Sequence, residues 1–413
     1  MVYKRIYKIV PWAVIVLLGF ALPLFALPGD YKDIYYPDPG LITVEREGRI
    51  IDQLHCERFV LDYPELTGRG DVNMSLDADG NIWAGVEGAQ LDTEKRLFCS
   101  RDRGLSWTSV PLPPTRDRYL AAFTALRNNN LLLVTCLKPT APRVYLSGSM
   151  GGSWELTDTL SSNPYQYIGE GFLSFTQLRS GSILLPIARY DDDPYNSRIQ
   201  GSVFVSDDGG NTFTAVYPTF VYCMEAHILE LQSGELLGAF RYQRLRNPGE
   251  TDEQILALGG NIDPGHSFTF KHVFLGDSFD GGVTWSNLRP LRDVSGRALL
   301  QYGQCHGQLV QVPDGRVVLV YDNRYPAEGR DVRARVSSDN GQTWDPAVYY
   351  LSFGRGNPAS VVLPDGTIVT VTGNWPYGSG GPIGPPSVQA VRWRLPEDKI
   401  IKKDTIRGNG TGN

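Results

Sequence analysis

Residues 312–344 read VPDGRVVLVYDNRYPAEGRDVRARVSSDNGQTW and contain the two patterns that decide the fold. The first pattern is the Pro-Asp-Gly turn at 313–315, which lies between two apolar runs of strand length. The second is the Ser-x-Asp-x-Gly-x-Thr-Trp segment at 337–344. Because glycine supplies the positive φ that a tight hairpin turn requires, the first pattern predicts a β-hairpin.

The hairpin turn recurs six times along the chain at nearly even spacing. The last residues of successive turns are 50, 51, 53, 81 and 51 residues apart, and a fixed period of this length is typical of repeat architectures. We therefore predict an all-β fold, a six-bladed β-propeller with one hairpin per blade. The turns end at Gly80, Asn130, Gly181, Gly234, Gly315 and Gly366.

The Ser-x-Asp turn follows five of the six hairpins. Its Asp can bond the amides of its own turn and its Gly permits a left-handed residue, so we interpret these residues as structural parts of the outer rim. We expect the ring to close through an N-terminal strand at 41–45 that joins a strand at 387–393. The turns lie at 100–107, 147–154, 206–213, 278–285 and 337–344, and the second of them has Ser149 in place of Asp.

Composition agrees with an all-β chain and argues against several functions. The 413 residues include 45 Gly and 28 Pro, which favours many short strands joined by turns. The formal net charge is −6 and the body has no Lys/Arg run, so we expect no nucleic-acid partner. The five cysteines are scattered without CxxC spacing and predict neither a metal site nor a disulfide framework.

The N-terminus is expected to be a targeting segment. Lys4, Arg5 and Lys8 precede the largely apolar run 9–27, which is typical of a signal peptide or a signal anchor. We therefore divide the chain into this segment at 1–28, the propeller at 29–398 and a disordered tail at 399–413. The protein is expected to be secreted or extracytoplasmic and monomeric, and to contact membrane only through the N-terminal segment.

Polar residues collect where the innermost strands should line the central funnel. An inner strand buried on both faces should be apolar, so polar residues at matching positions in several blades indicate a site. Each of His227 and His306 has an alternative interpretation as a buried, hydrogen-bonded histidine. Nine residues before the turns stand Asp71, Ala121, Phe172, Glu225, His306 and Asn357, with Arg69, His227 and Arg355 at neighbouring inward positions.

The spacing of the turns resembles the Asp boxes of sialidase-like propellers over about residues 60 to 395. The pair Glu225 and Arg241, 16 residues apart, is similar to a glutamate-to-arginine hairpin of that family. Arg330, seven residues before an Asp box, is similar to its third arginine, and Arg69 lies near the first. The resemblance implies an exo-glycosidase that removes terminal acidic sugars, sialic acid first, with these three arginines holding the substrate carboxylate.

The same resemblance implies a tyrosine nucleophile, which the chain lacks at the expected place. In the family a glutamate activates the tyrosine and an aspartate is the acid/base, roles for which Glu225 and either Asp71 or Asp92 are the candidates. Asn357 stands where the resemblance implies the tyrosine. Three tyrosines from other blades remain open as replacements, namely Tyr302, Tyr190 and Tyr242.

Two other functions remain open from the sequence. In a polysaccharide lyase acting on uronates, His227 or His306 would abstract a proton while arginines neutralise the acid and a tyrosine protonates the leaving oxygen. The other alternative is a non-catalytic glycan-binding propeller. We expect a glycan partner and no cofactor; a Ca²⁺ site at the acidic run 191–193 is the alternative, although its ligands lack the usual spacing. The insertion between Arg241 and Ser278 predicts a loop over the funnel mouth.

Overall fold

The computed structural model describes residues 40–61, 71–87, 95–113, 119–136, 141–168, 174–191, 199–324, 330–353, 356–374, 377–378, 381–382 and 387–397. The predicted targeting segment and tail lie outside these ranges. No helix among the described residues is long and apolar enough to cross a membrane. In chain order the first strands are β1 (Leu41–Arg46), β2 (Arg49–Val60), β3 (Asp71–Leu76), β4 (Ile82–Glu87), β5 (Lys95–Ser100), β6 (Thr108–Val110), β7 (Tyr119–Ala125), β8 (Leu131–Cys136), β9 (Arg143–Ser147) and β10 (Glu155–Thr159).

The remaining elements continue the antiparallel pattern, with one short helix between two strands. They are β11 (Tyr167–Ile168), β12 (Thr176–Gln177), β13 (Ile183–Tyr190), β14 (Gln200–Ser206), β15 (Ala215–Val221), β16 (Cys223–Glu230), β17 (Leu236–Arg244), α1 (Asp252–Ala257), β18 (Phe270–Ser278), β19 (Ser286–Pro290), β20 (Gln304–Gln311), β21 (Val317–Asn323), β22 (Asp331–Ser337), β23 (Val348–Phe353), β24 (Ala359–Val362), β25 (Ile368–Asn374), β26 (Tyr377–Gly378), β27 (Gly381–Pro382) and β28 (Ser387–Trp393).

The strands form a propeller of antiparallel sheets in which each sheet packs against the next. Four separate sheets contain β3 to β6, β7 to β10, β11 to β15 and β16 to β19. We call the sheet of β16 to β19 the Glu225 blade and the set β20 to β23 the His306 blade. The first strands contact one another in sequence, β3 with β7, β12 with β16, β16 with β20 and β20 with β24, and β24 returns to β3. An apolar cluster that includes Ala122 of β7 and Ile183 of β13 joins the sheet of β7 to β10 to the sheet of β11 to β15, so the sheets follow one another around an axis.

Closure of the ring uses a different strand from the one predicted. β1 pairs with β23 of the His306 blade, and it is the second half of β2 that pairs with β28, from Cys56 opposite Trp393 to Val60 opposite Gln389. The prediction that residues 41–45 join the strand at 387–393 is therefore wrong. A hairpin turn at Glu47 and Gly48 reverses the chain, so β1 covers one blade while β2 completes the next. One nine-stranded sheet results.

The hairpin turns have the predicted geometry, except that in one turn the left-handed residue lies one position earlier than predicted. In five turns the glycine has positive φ, from 80° at Gly80 to 104° at Gly181, and its amide bonds the carbonyl three residues earlier. In the second turn the left-handed residue is Asn129, with φ 65°, one residue before the Asn130 taken from the sequence. Residues 129 and 130 are both asparagine, which tolerates this region, so the sequence alone did not distinguish the two positions.

The Ser-x-Asp turns lie between the third and fourth strands of their sheets, as predicted. In the turn at 206–213, Asp208 Oδ1 accepts a hydrogen bond of 2.9 Å from the amide of Thr212, and Oδ2 accepts one of 2.7 Å from its hydroxyl. Ser206 Oγ accepts from the amide of Gly210. The carboxylate of Asp208 therefore bonds within its own turn. Because the strands are antiparallel, these turns lie at the end of each sheet opposite the start of its first strand.

The core is the apolar packing between adjacent sheets. Trp344, which follows the last Ser-x-Asp turn, is 2% exposed and packs in a cluster that includes Leu237 of the neighbouring Glu225 blade. A Cβ added to Gly341 would lie 2.6 Å from Leu237 Cδ2, so the turn can approach the neighbouring blade only as glycine. Burial of such side chains stabilises the fold by roughly 25 cal/mol per Å² of apolar surface.

Candidate active site

Glu225 and His306 occupy matching positions in neighbouring first strands. Each lies at a β-bulge, where the register against the second strand shifts between Met224 and His227 and between Cys305 and Gln308. The φ angles are +43° at Glu225 and +50° at His306, a region that non-glycine residues rarely adopt. A bulge re-aims its side chain, and strained backbone of this kind clusters at functional sites.

Glu225 forms a buried ion pair with the arginine 16 residues later in the chain. Arg241 Nη1 lies 2.5 Å from Glu225 Oε1, and the side chains are 8% and 7% exposed. Arg241 Nη2 donates to the side-chain oxygen of Gln243 on the same strand. Burial opposes ionisation of Glu225, but the charges of Arg241 and His306 outweigh it and hold the pKa of Glu225 well below its usual range.

His306 lies between two carboxylates. Its Nε2 is 2.6 Å from Glu225 Oε2, and its Nδ1 is 3.0 Å from Asp322 Oδ1. The side chains of His306 and Asp322 are 3% and 1% exposed. Burial opposes ionisation of Asp322, but the neighbouring charges of Arg324 and His306 lower its pKa to about 2. The two carboxylates therefore hold the imidazole from both ring nitrogens.

Arg324 joins the cluster to the next blade. Its Nε lies 2.5 Å from Asp322 Oδ2, and its Nη2 donates to Asn357 Oδ1 at 2.9 Å. The same Nη2 is 2.8 Å from Nδ1 of His306. Nδ2 of Asn357 is buried without a hydrogen-bond partner among the described residues. The guanidinium and this amide together offer hydrogen-bond donors beside the Glu225 and His306 pair.

Positive charge exceeds negative charge in this cluster. Arg241, Arg324 and Lys271 give three positive charges against the two of Glu225 and Asp322, a surplus of one before His306 is counted. Burial and the charge of Arg241 lower the pKa of Lys271. A surplus of buried cations favours an anionic group in the ligand.

His227 has a different environment from His306. Its Nδ1 accepts a hydrogen bond of 3.2 Å from the amide of Leu309, which lies in the first strand of the next blade. Burial lowers the pKa of His227 to about 4. A neutral histidine that accepts a backbone bond links two blades, and this agrees with the alternative interpretation of His227 as a hydrogen-bonded core residue.

The insertion after β17 lies at the same end of the Glu225 blade as Arg241. Ring Nε2 of His272 is 2.9 Å from the carbonyl of Leu258, directly after α1. Arg244 Nη2 lies 2.5 Å from Glu250 Oε1 and its guanidinium stacks over Phe270. Tyr302 bonds the carbonyl of Gly259 through its amide, and its ring centroid is 4.8 Å from that of His266. The insertion is thus held firmly against its blade.

The other predicted residues are placed less completely. Arg330 directly precedes β22 at the funnel end of the His306 blade, and its Nε is buried without a hydrogen-bond partner among the described residues. Asp71 begins β3. Arg69, Asp92, Phe172 and Arg355 lie outside the described residues. Tyr190 stacks on Tyr167, and Tyr242 accepts a hydrogen bond from Arg244.

Sequence interpretation missed Asp322, Arg324, Gln243 and Lys271. The 16-residue spacing used for Glu225 and Arg241 applies equally to His306 and Asp322, so it could have identified Asp322. Arg324 likewise stands 81 residues after Gln243, the interval that separates the two hairpins. No group of three or more His, Cys, Asp or Glu side chains able to hold a metal ion occurs within the described parts of the chain.

Comparison with known proteins finds solved structures that share this fold. No family model matches the chain, and no curated protein matches its sequence. A microbial sialidase, Hadza Hz136, superposes with TM-score 0.59 at 15% identity, covering 84% of this chain and 71% of that one. An α-L-arabinofuranosidase from Fusarium graminearum gives 0.54 at 12% identity, covering 80% and 95%.

A third similar structure is a protein of unknown function from Dyadobacter fermentans. It gives TM-score 0.56 at 17% identity and covers 87% of this chain and all of that one. At such identities the similarity shows the all-β propeller fold alone. The chemistry of this chain therefore has to be argued from its own residues.

Proposed function

We propose that this chain is a six-bladed, Asp-box propeller enzyme that cleaves a glycosidic bond at an acidic sugar, as a hydrolase of the sialidase type. The observation that carries the proposal is the buried cluster at the funnel, in which Glu225 Oε2 lies 2.6 Å from His306 Nε2 among surplus positive charges. Structural similarity to a sialidase and an arabinofuranosidase supports a glycosidase.

Arg241 and Arg324 are the cations that we assign to the substrate carboxylate. Arg324 is the more accessible of the two, with 16% of its side chain exposed against 8% for Arg241. Its described hydrogen bonds use Nε and Nη2 and leave Nη1 for a ligand. Arg330 and Arg69 stay in the proposal as further contacts from the neighbouring strand ends.

A lyase acting on a uronate is the second candidate, and two observations favour it. Asn357 stands where the sialidase resemblance implies a nucleophilic tyrosine, and His306 occupies the matching position one blade earlier. In a lyase the imidazole would take the proton next to the carboxylate while Arg324 neutralises that carboxylate. The carboxylates of Glu225 and Asp322 lie beside the two ring nitrogens of His306 and would orient the ring.

The test is an activity panel on the purified protein. Wild type is offered a fluorogenic sialoside, a fluorogenic arabinofuranoside and uronate-containing polysaccharides, with the absorbance of unsaturated products followed in parallel. Release from the sialoside supports the hydrolase, unsaturated products support the lyase, and release from the arabinofuranoside alone would overturn the acidic-sugar assignment. Inactivity on the whole panel would overturn an enzymatic role and favour a glycan-binding propeller.

Glu225→Gln identifies whether the measured activity belongs to this site. We expect a loss of about 10²- to 10⁴-fold, because a proton-transfer group is removed. Glu230→Gln is the matched control: Glu230 ends the same strand and pairs with the surface residue Arg179 at 3.1 Å. Equal activity of the two variants would exclude Glu225 from the reaction.

A further inference from the structure

The two ring nitrogens of His306 are held by different kinds of carboxylate. Asp322 is fixed from the far side, because Arg324 Nε lies 2.5 Å from its Oδ2 while its Oδ1 faces His306 Nδ1 at 3.0 Å. Glu225 faces Nε2 with Oε2 and is held through Oε1 by Arg241. Asp322 therefore orients the imidazole through Nδ1, and Nε2 faces Glu225.

Nδ1 of His306 has two charged neighbours, Asp322 Oδ1 at 3.0 Å and Arg324 Nη2 at 2.8 Å. The pKa of Asp322 is lowered to about 2, so its carboxylate is available to accept a hydrogen bond from the ring. Nε2 lies 2.6 Å from Glu225 Oε2, close enough for a proton to pass between the two groups. Among the described residues, Glu225, Asp322 and Arg324 contact the ring, Arg241 pairs with Glu225, and Lys271 interacts electrostatically with Arg241, Arg324 and Glu225.

We propose that Asp322 is the positioning residue of His306, and that Asp322, His306 and Glu225 together hold the exchangeable proton of the site. This inference deepens the proposed function, since it rests on Glu225 and His306 being the reacting pair. Arg324 then has two tasks, holding Asp322 and binding the ligand anion.

The test reads the imidazole directly by NMR of protein labelled with ¹⁵N-histidine. The chain has five histidines, and His306→Gln assigns the signals of this ring. The quantity measured is the pH midpoint at which the ring loses its second proton. In Asp322→Asn we expect this midpoint to fall by about one pH unit or more, because a negative charge in contact with the ring is removed. An unchanged midpoint would overturn the proposal.

Asp331→Asn is the matched control for burying an amide in place of a carboxylate. Asp331 is fully buried in the same blade and pairs with Arg333, two residues later, at 2.6 Å, just as Asp322 pairs with Arg324. We expect it to leave the His306 midpoint unchanged. If Asp322→Asn does not fold, Arg324→Gln gives the opposite test: removing a cation 2.8 Å from the ring should raise the midpoint, and a fall or no change would contradict the proposal.

Activity separates this inference from the proposed function. On the substrate that wild type cleaves, we expect Asp322→Asn to lower kcat about 10-fold or more with little change in KM, and to shift the pH profile in the direction of the NMR midpoint. A shifted midpoint in a protein that cleaves no glycan would leave Asp322 as a positioning residue and sink the enzymatic proposal. Cleavage of the substrate with an unshifted midpoint would support the enzymatic proposal and overturn the role of Asp322 as a positioning residue.

Discussion

The Glu225 blade and the His306 blade share one backbone and carry opposite charges at the funnel. Glu225 corresponds to His306, Arg241 to Asp322 and Gln243 to Arg324, each pair separated by 81 residues. In both blades the first residue lies at a bulge with positive φ, and its partner stands 16 residues later on the second strand. At these three matching positions only the side chains differ.

This difference explains how two copies of one hairpin form a single site. Two blades with the same residues would bring like charges together and repel each other. With the charges exchanged, Glu225 pairs within its own blade through Arg241 and between blades through His306. The backbone therefore sets where the polar groups lie, and the side chains decide that the groups attract.

The largest expected effect comes from breaking the buried pair in the Glu225 blade. Arg241→Met should lower the free energy of unfolding by about 3–5 kcal/mol, because it leaves the buried carboxylate of Glu225 short of its strongest partner. The double variant Glu225→Gln/Arg241→Met should lose less than Arg241→Met alone, since the orphaned charge is gone. Denaturant unfolding measures both.

The matched control for this pair is Arg179→Met. Arg179 forms an exposed ion pair with Glu230 on the same strand as Glu225, with 52% of the arginine side chain in solvent. Its loss should cost at most about 1 kcal/mol. A similar cost for Arg179→Met and Arg241→Met would show that burial of the Glu225 pair has no energetic consequence.

The second effect is acid sensitivity from a buried histidine that one blade has and the other lacks. Burial lowers the pKa of His227 to about 4, whereas the matching residue of the His306 blade is Gln308. The unfolded histidine takes up a proton below about pH 6.5 while the folded one stays neutral, so stability is complete above that pH and falls toward pH 4. His227→Gln should remove roughly 2–3 kcal/mol of this fall.

Unfolding measured between about pH 7 and pH 4 tests that assignment. Some acid sensitivity should remain in His227→Gln, because burial also lowers the pKa of His272 to about 4. His272→Gln provides the corresponding measurement on the insertion. An identical pH slope in wild type and His227→Gln would rule out His227 as a source of the acid sensitivity.

The third effect depends on the positive φ that the two blades share at Glu225 and His306. At φ +50°, asparagine in place of His306 should fold with little strain, whereas valine should cost about 1–3 kcal/mol more. Thermal or denaturant unfolding of His306→Asn and His306→Val gives the difference. Equal stability of the two variants would mean that the bulge relaxes and imposes no conformational constraint.

The smallest effect concerns the Ser-x-Asp turns, of which one has serine, Ser149, where the other four have aspartate. Ser149 Oγ accepts from the amide of Ser153 at 2.8 Å and is also hydrogen-bonded to the hydroxyl of Ser153 at 3.0 Å, so one neutral oxygen makes both of the bonds that two carboxylate oxygens make in the matching turns. Ser149→Asp should therefore stabilise the protein by about 0.5–1 kcal/mol. The reverse change Asp280→Ser should destabilise it similarly. If Ser149→Asp lowers the melting temperature, the turn at 147–154 has a different role.

The sequence by itself determined the repeat, the hairpins and the position of the Ser-x-Asp turns, because each depends on local backbone preferences of Gly, Asn and Asp. It also determined that Glu225, His306 and Asn357 share one position in successive blades, since strand alternation is local and countable. The register of the second hairpin was missed by one residue, because Asn129 and Asn130 are chemically identical.

Only the tertiary structure decided which polar residues touch. Asp322 and Arg324 enter the site from a second strand, and His227 pairs with another blade although it lies two residues from Glu225. Closure by β2 in place of β1 was likewise beyond the sequence, since both strands have suitable patterns and only the packed ring selects one. Contacts between blades join residues far apart in the chain, and no local preference encodes them.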